Sequence, residues 1–238
     1  MGCSSGPDVV EDGLVLCLDA ASKRSYSGSG TTWVDTVGGN NGTLQNGASF
    51  ESLNAGGIVL DGSNDRIAID DFEDLNLSDV SFSCGVKVDS LGSDSDFFVK
   101  GAHSSSSSII CWYDPSVTGG QQAGNSGAIS VLSNDGSTLM FISSSNYIIS
   151  AGEIFVVDVT IDASIGKISL YKNGQLLVSH ENSNYNGMPN NSSAYYLGAE
   201  SGNQKSLPGR FYFFRAYNKC LSADEVRQNY LSTKERYQ

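Results

Sequence analysis

The sequence predicts an all-β protein, a two-sheet antiparallel jelly-roll sandwich closed by a short C-terminal helix. The 238 residues include 27 Gly but only 4 Pro, and many short apolar runs are separated by Gly, Asn, Asp and Ser, the punctuation of strands and turns. Two of those runs, Val80–Val88 and Phe155–Ile161, alternate with period two, as half-buried strands do. Roughly a dozen candidate strands exceed what one open sheet holds before it splits into two packed layers.

In chain order, Gly13 to Ala20 reads as a strand with Leu14, Leu16 and Leu18 on one face, followed by a Ser/Gly loop that no helix tolerates. Trp33 reads as a loop anchor. LDGSND, Leu60 to Asp65, is turn chemistry, since Asp and Asn side chains bond their own backbone. In the next strand Val80, Phe82, Cys84, Val86 and Val88 face inward while Ser81, Ser83, Lys87 and Asp89 face water, so a one-residue slip would bury the charges. The serine tract Ser104–Ser108 is a solvated loop leading into Ile109, Ile110, Cys111 and Trp112. Asp135-Gly136, between Val131 and Phe141, marks a hairpin. Phe155, Val157, Val159 and Ile161 then face inward, with Val156, Asp158, Thr160 and Asp162 on the opposite face and the two carboxylates solvated. Asn173-Gly174 is the strongest hairpin signal in the chain, because a type I′ turn needs positive φ at both central positions. Arg210 to Asn218 is a strand whose run Phe211, Tyr212, Phe213, Phe214 fits coverage on both faces. Ser222 and Glu225 spell a capping box that starts the final helix, which Val226 and Tyr230 would dock.

The pairing of the segment Gly13–Gly47 with the C-terminal FYFFRAYNKCLSADEVRQNYLSTKERY, with LDGSND and LYKNGQLL (Leu170–Leu177) between them, resembles the laminin-G-like branch of the concanavalin A-like lectin/glucanase superfamily. The style is that of single-domain versions in structural proteins of tailed bacteriophages. The resemblance implies a 13–238 jelly-roll domain preceded by an N-terminal arm, 1–12. It also implies a non-enzymatic virion component made in host cytoplasm: a capsid decoration, tail-associated or fibre module. Its partners would be other virion proteins, capsid or tail subunits, together with host-surface polysaccharide. The alternative is a lectin-like adhesion domain of a cell. Symmetric assembly on a particle implies a homo-oligomer, and no heptad segment specifies its order.

Composition excludes several classes. A formal charge of −12 argues against nucleic-acid binding, which needs a basic stripe to release counterions. No apolar stretch approaches the roughly 20 residues that span a bilayer, so no membrane insertion is expected. The start, MGCSSG, lacks the basic and apolar regions of an export signal. Five cysteines without framework spacing read as reduced thiols, and two distant histidines argue against zinc. Glucanases of the resembled superfamily place catalytic carboxylates as E-x-D-x-x-E on one strand, and that pattern is absent. Glu153, Asp158 and Asp162 are the nearest imitation, but Glu153 has the wrong parity to share a face with the other two, which sit on the polar face, so no catalytic residue is assigned.

The remaining candidates are binding residues. Carbohydrate recognition needs an aromatic ring beside amides or carboxylates; Trp112 and Tyr113, before Asp114-Pro115, form the expected exposed pair, and Tyr185 between Asn184 and Asn186 is another. The resembled domains often hold calcium through loop oxygens. Asp61 and Asp65 are the first candidates for such a metal site, with Asp94 and Asp96, and the acidic group Asp70, Asp71, Glu73 and Asp74, behind them.

Overall fold

The computed structural model describes residues 7–71, 75, 79–103, 105–115, 127–188, 191–202 and 205–237. Among them, sixteen strands form two eight-stranded sheets. The first sheet contains β1 (Leu14–Asp19), β4 (Ser49–Glu51), β5 (Gly57–Asp61), β7 (Val80–Val88), β12 (Ile154–Asp162), β13 (Lys167–Lys172), β14 (Gln175–Glu181) and β16 (Pro208–Tyr217). They lie in the order β14-β13-β12-β7-β16-β5-β4, and β1 takes the half of the β16 edge that β5 leaves free. The second sheet contains β2 (Thr32–Trp33), β3 (Gly42–Gln45), β6 (Arg66–Ile69), β8 (Ser95–Lys100), β9 (Ser107–Asp114), β10 (Ala128–Asp135), β11 (Leu139–Ser143) and β15 (Tyr195–Leu197), in the order β11-β10-β9-β8-β15-β6-β3-β2. Every pairing is antiparallel, as in a jelly roll.

The core lies between the sheets. Phe82, Cys84 and Val86 of β7, Phe155, Val157, Val159 and Ile161 of β12, and Phe211 and Phe214 of β16 meet Phe97, Phe98, Ile109, Cys111 and Tyr113 of the second sheet. Trp33, expected as a loop anchor, is fully buried in the same core from β2. Local turn chemistry sets the registers: Asn173 and Gly174 have φ of 52° and 73°, and Lys172 faces Gln175 across the turn. After β10 the Asp135 carboxylate accepts from the Ser137 and Thr138 amides and, across the molecule, from the Asn186 amide. Burial opposes ionisation there, but these backbone bonds outweigh it and lower the carboxyl to about 2.

Helix α1 (Ala223–Thr233) begins with the expected capping box: Ser222 Oγ accepts from the Glu225 amide, and the Glu225 carboxylate accepts from the Ser222 amide. It packs on the outer face of the first sheet. Val226 joins Tyr171, Tyr217, Leu221 and Val10 there, while Tyr230 and Tyr237 meet Val156, Tyr212 and Phe213. That cover corrects two expectations. Ser81 and Ser83, expected to face water, are buried, and Asp158, expected to be solvated, is 1% exposed. Alternation identified the outward face, but the helix turns it into a second interior. Asp158 lies in a row across that face, Tyr171, Asp158, Ser83, Arg215 and Cys17, one residue from each of five adjacent strands.

The four cysteines among the described residues are unpaired, and Cys3 lies outside those residues. No helix among the described residues is long and apolar enough to cross a membrane.

Candidate functional site

The outer face of the second sheet carries a group of interacting polar and aromatic side chains outside the core. Its foundation is a bulge: the β8–β9 register shifts between Asp96 and Phe98, so Phe97 and Phe98 both reach the core while Val99 faces outward. Asp96 pairs in register with Trp112 of β9. Cys111 and Tyr113 point inward, so strand alternation sends Trp112 outward, onto Val99, Ile110 and Leu132 with Phe141 beside them.

The β8–β9 connection brings the next residue in. Gly101 has φ of +87°, and a Cβ there would come within 2.8 Å of the Ser107 carbonyl, so this turn requires glycine. His103 Nε2 lies 3.0 Å from Asp96 Oδ1, and the imidazole meets Trp112 edge-on with centroids 5.3 Å apart. The third member arrives from the segment before β16: the Asp96 amide donates to the Lys205 carbonyl, and Lys205 Nζ lies 3.1 Å from His103 Nδ1, 3.2 Å from Asp94 Oδ2 and 5.3 Å from the Trp112 centroid. Lys205 itself has φ of +55°.

Both ring nitrogens are engaged, Nδ1 with the Lys205 ammonium and Nε2 with the Asp96 carboxyl. Burial raises the Asp96 carboxyl to about 6, against the hydrogen bond and charge of His103 and the charge of Lys205. Asp96 Oδ2 is buried with no hydrogen-bond partner among the described residues. The histidine and lysine side chains reach the surface, 19% and 26% exposed, above a floor of buried aromatic and aliphatic groups. The arrangement suits recognition of hydroxyl or carbonyl oxygens by the Lys205 ammonium, which His103 and Asp94 position beside an apolar base.

The sequence candidates are dispersed. Trp112 is in this cluster, yet it is 5% exposed and serves as its floor. Tyr113, adjacent in sequence, is buried on the opposite face of β9, and its hydroxyl donates to the Leu91 carbonyl at 3.4 Å. The expected exposed pair is therefore one covered ring on each side of a strand. Tyr185 is buried elsewhere, its hydroxyl 2.6 Å from Ser133 Oγ. Asp61 and Asp65 organise their own turn: Asp61 Oδ1 accepts from the Ser63 and Asn64 amides, and Asp65 Oδ2 accepts from the Asp61 amide. Those backbone bonds lower the Asp61 carboxyl, while burial raises that of Asp65. Asp71 pairs with Lys100, and Glu73 and Asp74 lie outside the described residues. Among the described residues no three His, Cys, Asp or Glu side chains gather as metal ligands do. His103 and Lys205 were missed as site residues because neither belongs to a motif. The one available signal is the seven-residue spacing of Asp96 and His103 across a hairpin.

A family model described as Concanavalin A-like lectin/glucanases superfamily, Laminin_G_3, matches residues 61–227. No curated protein matches the sequence. Among solved structures, the chain is similar to the binding domain of botulinum neurotoxin serotype D, at 17% identity and a TM-score of 0.68, over 92% of this chain and 51% of that one. It is likewise similar to the binding domain of Paraclostridial Mosquitocidal Protein 1, at 18% identity and a TM-score of 0.67, over 92% and 52%. The chain thus spans about half the length of those toxin binding domains. Domain 4 of an extracellular arabinanase from Geobacillus stearothermophilus, in complex with arabinotriose, is similar over 96% of this chain and 100% of that one, at 16% identity and a TM-score of 0.66.

Proposed function

This chain belongs to the concanavalin A-like lectin/glucanases superfamily, and from that premise we propose that it is a non-enzymatic adhesion module that binds surface glycan through the outer face of its second sheet. The observation that carries the reading is the partly exposed His103–Lys205 edge, held by buried Asp96 over the Trp112 floor. Engagement of both imidazole nitrogens favours holding a ligand over moving a proton. Similarity to toxin binding domains and to a domain in complex with arabinotriose supports recognition, as does the partial exposure of His103 and Lys205 on the outer side of the second sheet. The carrier we infer is a bacteriophage virion, with the domain as a capsid decoration, tail-associated or fibre module. The order of turn and strand motifs supports that placement.

The test is a glycan array probed in the presence and absence of calcium with the full chain and with Lys205→Ala and His103→Ala. Loss of the Lys205 contact, or of the imidazole that positions it, should weaken binding about tenfold, with thermal midpoints within a few degrees of the parent. Folded variants that bind as the parent does would remove this face from the proposal.

A further inference from the structure

We propose that Tyr147 is a second glycan contact, a stacking platform for a neutral saccharide; the inference rests on the adhesion reading above. Tyr147 combines two properties that seldom coincide. It is 79% exposed, the most exposed large hydrophobic side chain among the described residues, and it has φ of 52°, a left-handed conformation that is an outlier for a bulky side chain. A strained residue persists only where its surroundings hold it, and such residues concentrate at functional positions.

The surroundings here do hold it. The Ile148 amide donates to the Gly127 carbonyl, and a Cβ on Gly127 would come within 2.8 Å of the Tyr147 ring and 3.0 Å of its amide nitrogen. Before the tip, the Ser144 amide donates to the Ile129 carbonyl and Ser144 Oγ accepts from the Ile129 amide. After it, Ile148 and Ile149 pack on the core, and Lys172 Nζ ties the Ile148 carbonyl to Glu153. The loop is pinned on both sides of the one residue whose backbone is strained and whose ring stands in solvent.

The chemistry around the tip selects the ligand. Ser145 and Asn146, just before the ring, are small and polar, and Asn146 is exposed. An isolated aromatic beside hydroxyl and amide groups matches a sugar, which has an apolar C–H face edged by hydroxyls. A protein hot spot would instead sit within a wider apolar patch. The net charge of −12 disfavours anionic glycans and anionic membrane surfaces. The position is also apt: Gly127 immediately precedes Ala128, the register partner of Asp114, so the tip stands at the end of the second sheet two residues along β9 from Trp112.

Substitution by glycine separates strain from function, because glycine adopts positive φ without penalty. The full chain and Tyr147→Gly and Tyr147→Phe variants are compared on an array of neutral and sialylated oligosaccharides and by thermal melting. Tyr147→Gly should melt at or above the parent temperature yet bind neutral glycans at least about tenfold more weakly, while Tyr147→Phe keeps most of the binding. A Tyr147→Gly variant that binds as the parent does overturns this inference and leaves the adhesion reading standing. Binding confined to sialylated glycans also overturns it. A parent chain that binds nothing on the array sinks the adhesion reading, and this inference with it.

Discussion

Asp35 holds the loop between β2 and β3 in shape. Its Oδ1 accepts from the Cys17 and Val37 amides and its Oδ2 from the Gly38 and Asn40 amides, so one buried carboxylate satisfies four backbone donors on two segments. Asn41 completes the arrangement by accepting from the Asp35 amide. Replacing the carboxylate with a methyl group strands several of these donors, and Asp35→Ala is expected to cost about 3 kcal/mol, within the range for buried hydrogen bonds to a charged group. Urea melts check this, as a lower midpoint at unchanged slope. Asp61 shows the same chemistry at a smaller scale, and both illustrate why an Asp-rich loop need not be a cation site. The binding candidates behaved differently from these turns. A turn aspartate reports its role through its immediate neighbours, whereas Trp112 and Tyr113 carry no local mark of whether a loop or a facing sheet covers them.

At the scale of elements, α1 decides the most. It lies over the row of Asp158, Ser83 and Arg215 and buries a carboxyl among the Val156, Phe213 and Tyr217 side chains flanking that row. Burial raises the Asp158 carboxyl to about 7, against the Ser83 hydroxyl and the Arg215 charge. The folded state therefore holds this proton more tightly than an unfolded chain, whose ordinary value is 3.8. Its contribution to stability is complete below about pH 4 and is lost as the pH rises through about 7. Asp158→Asn cannot titrate, so the fall in urea midpoint between pH 4.5 and 7.5 should shrink in that variant, and an unchanged fall would place the titration elsewhere. Asp96, raised to about 6, contributes in the same direction and is controlled by Asp96→Asn. The helix was legible because its start is local: Ser222 and Glu225 are three residues apart. Its effect was not, because nothing near Asp158 in sequence indicates that residues 223–237 return to cover it.

At the scale of the whole molecule, residues 8–12 meet the segment 219–229. The Val10 amide donates to Asn229 Oδ1, Gln228 Nε2 donates to the Asp8 carbonyl, and Lys219 pairs with both Asp12 and Glu225. We propose that the arm expected over residues 1–12 reaches a neighbouring virion subunit; residues 8–12 dock on their own chain, so these contacts decide where to cut. Deletion through residue 10 would also empty the seat of Val10, so removal of residues 2–6 is the cleaner test. That chain should keep its melting temperature and fail to co-migrate with intact particles on a density gradient; incorporation at full occupancy would refute the arm. The sequence by itself determined the class of fold, the two hairpins at Asp135-Gly136 and Asn173-Gly174, the start of the helix and the inward faces of β7 and β12. Each of these depends on residues within a few positions of one another, where alternation and turn geometry act directly. Only the tertiary structure decided which outward faces meet water, that Trp112 is a floor and Asp158 a buried acid, and that Asp96, His103 and Lys205 form one cluster. Burial and charge pairing depend on segments brought together by sheet order, and no local pattern encodes the partner.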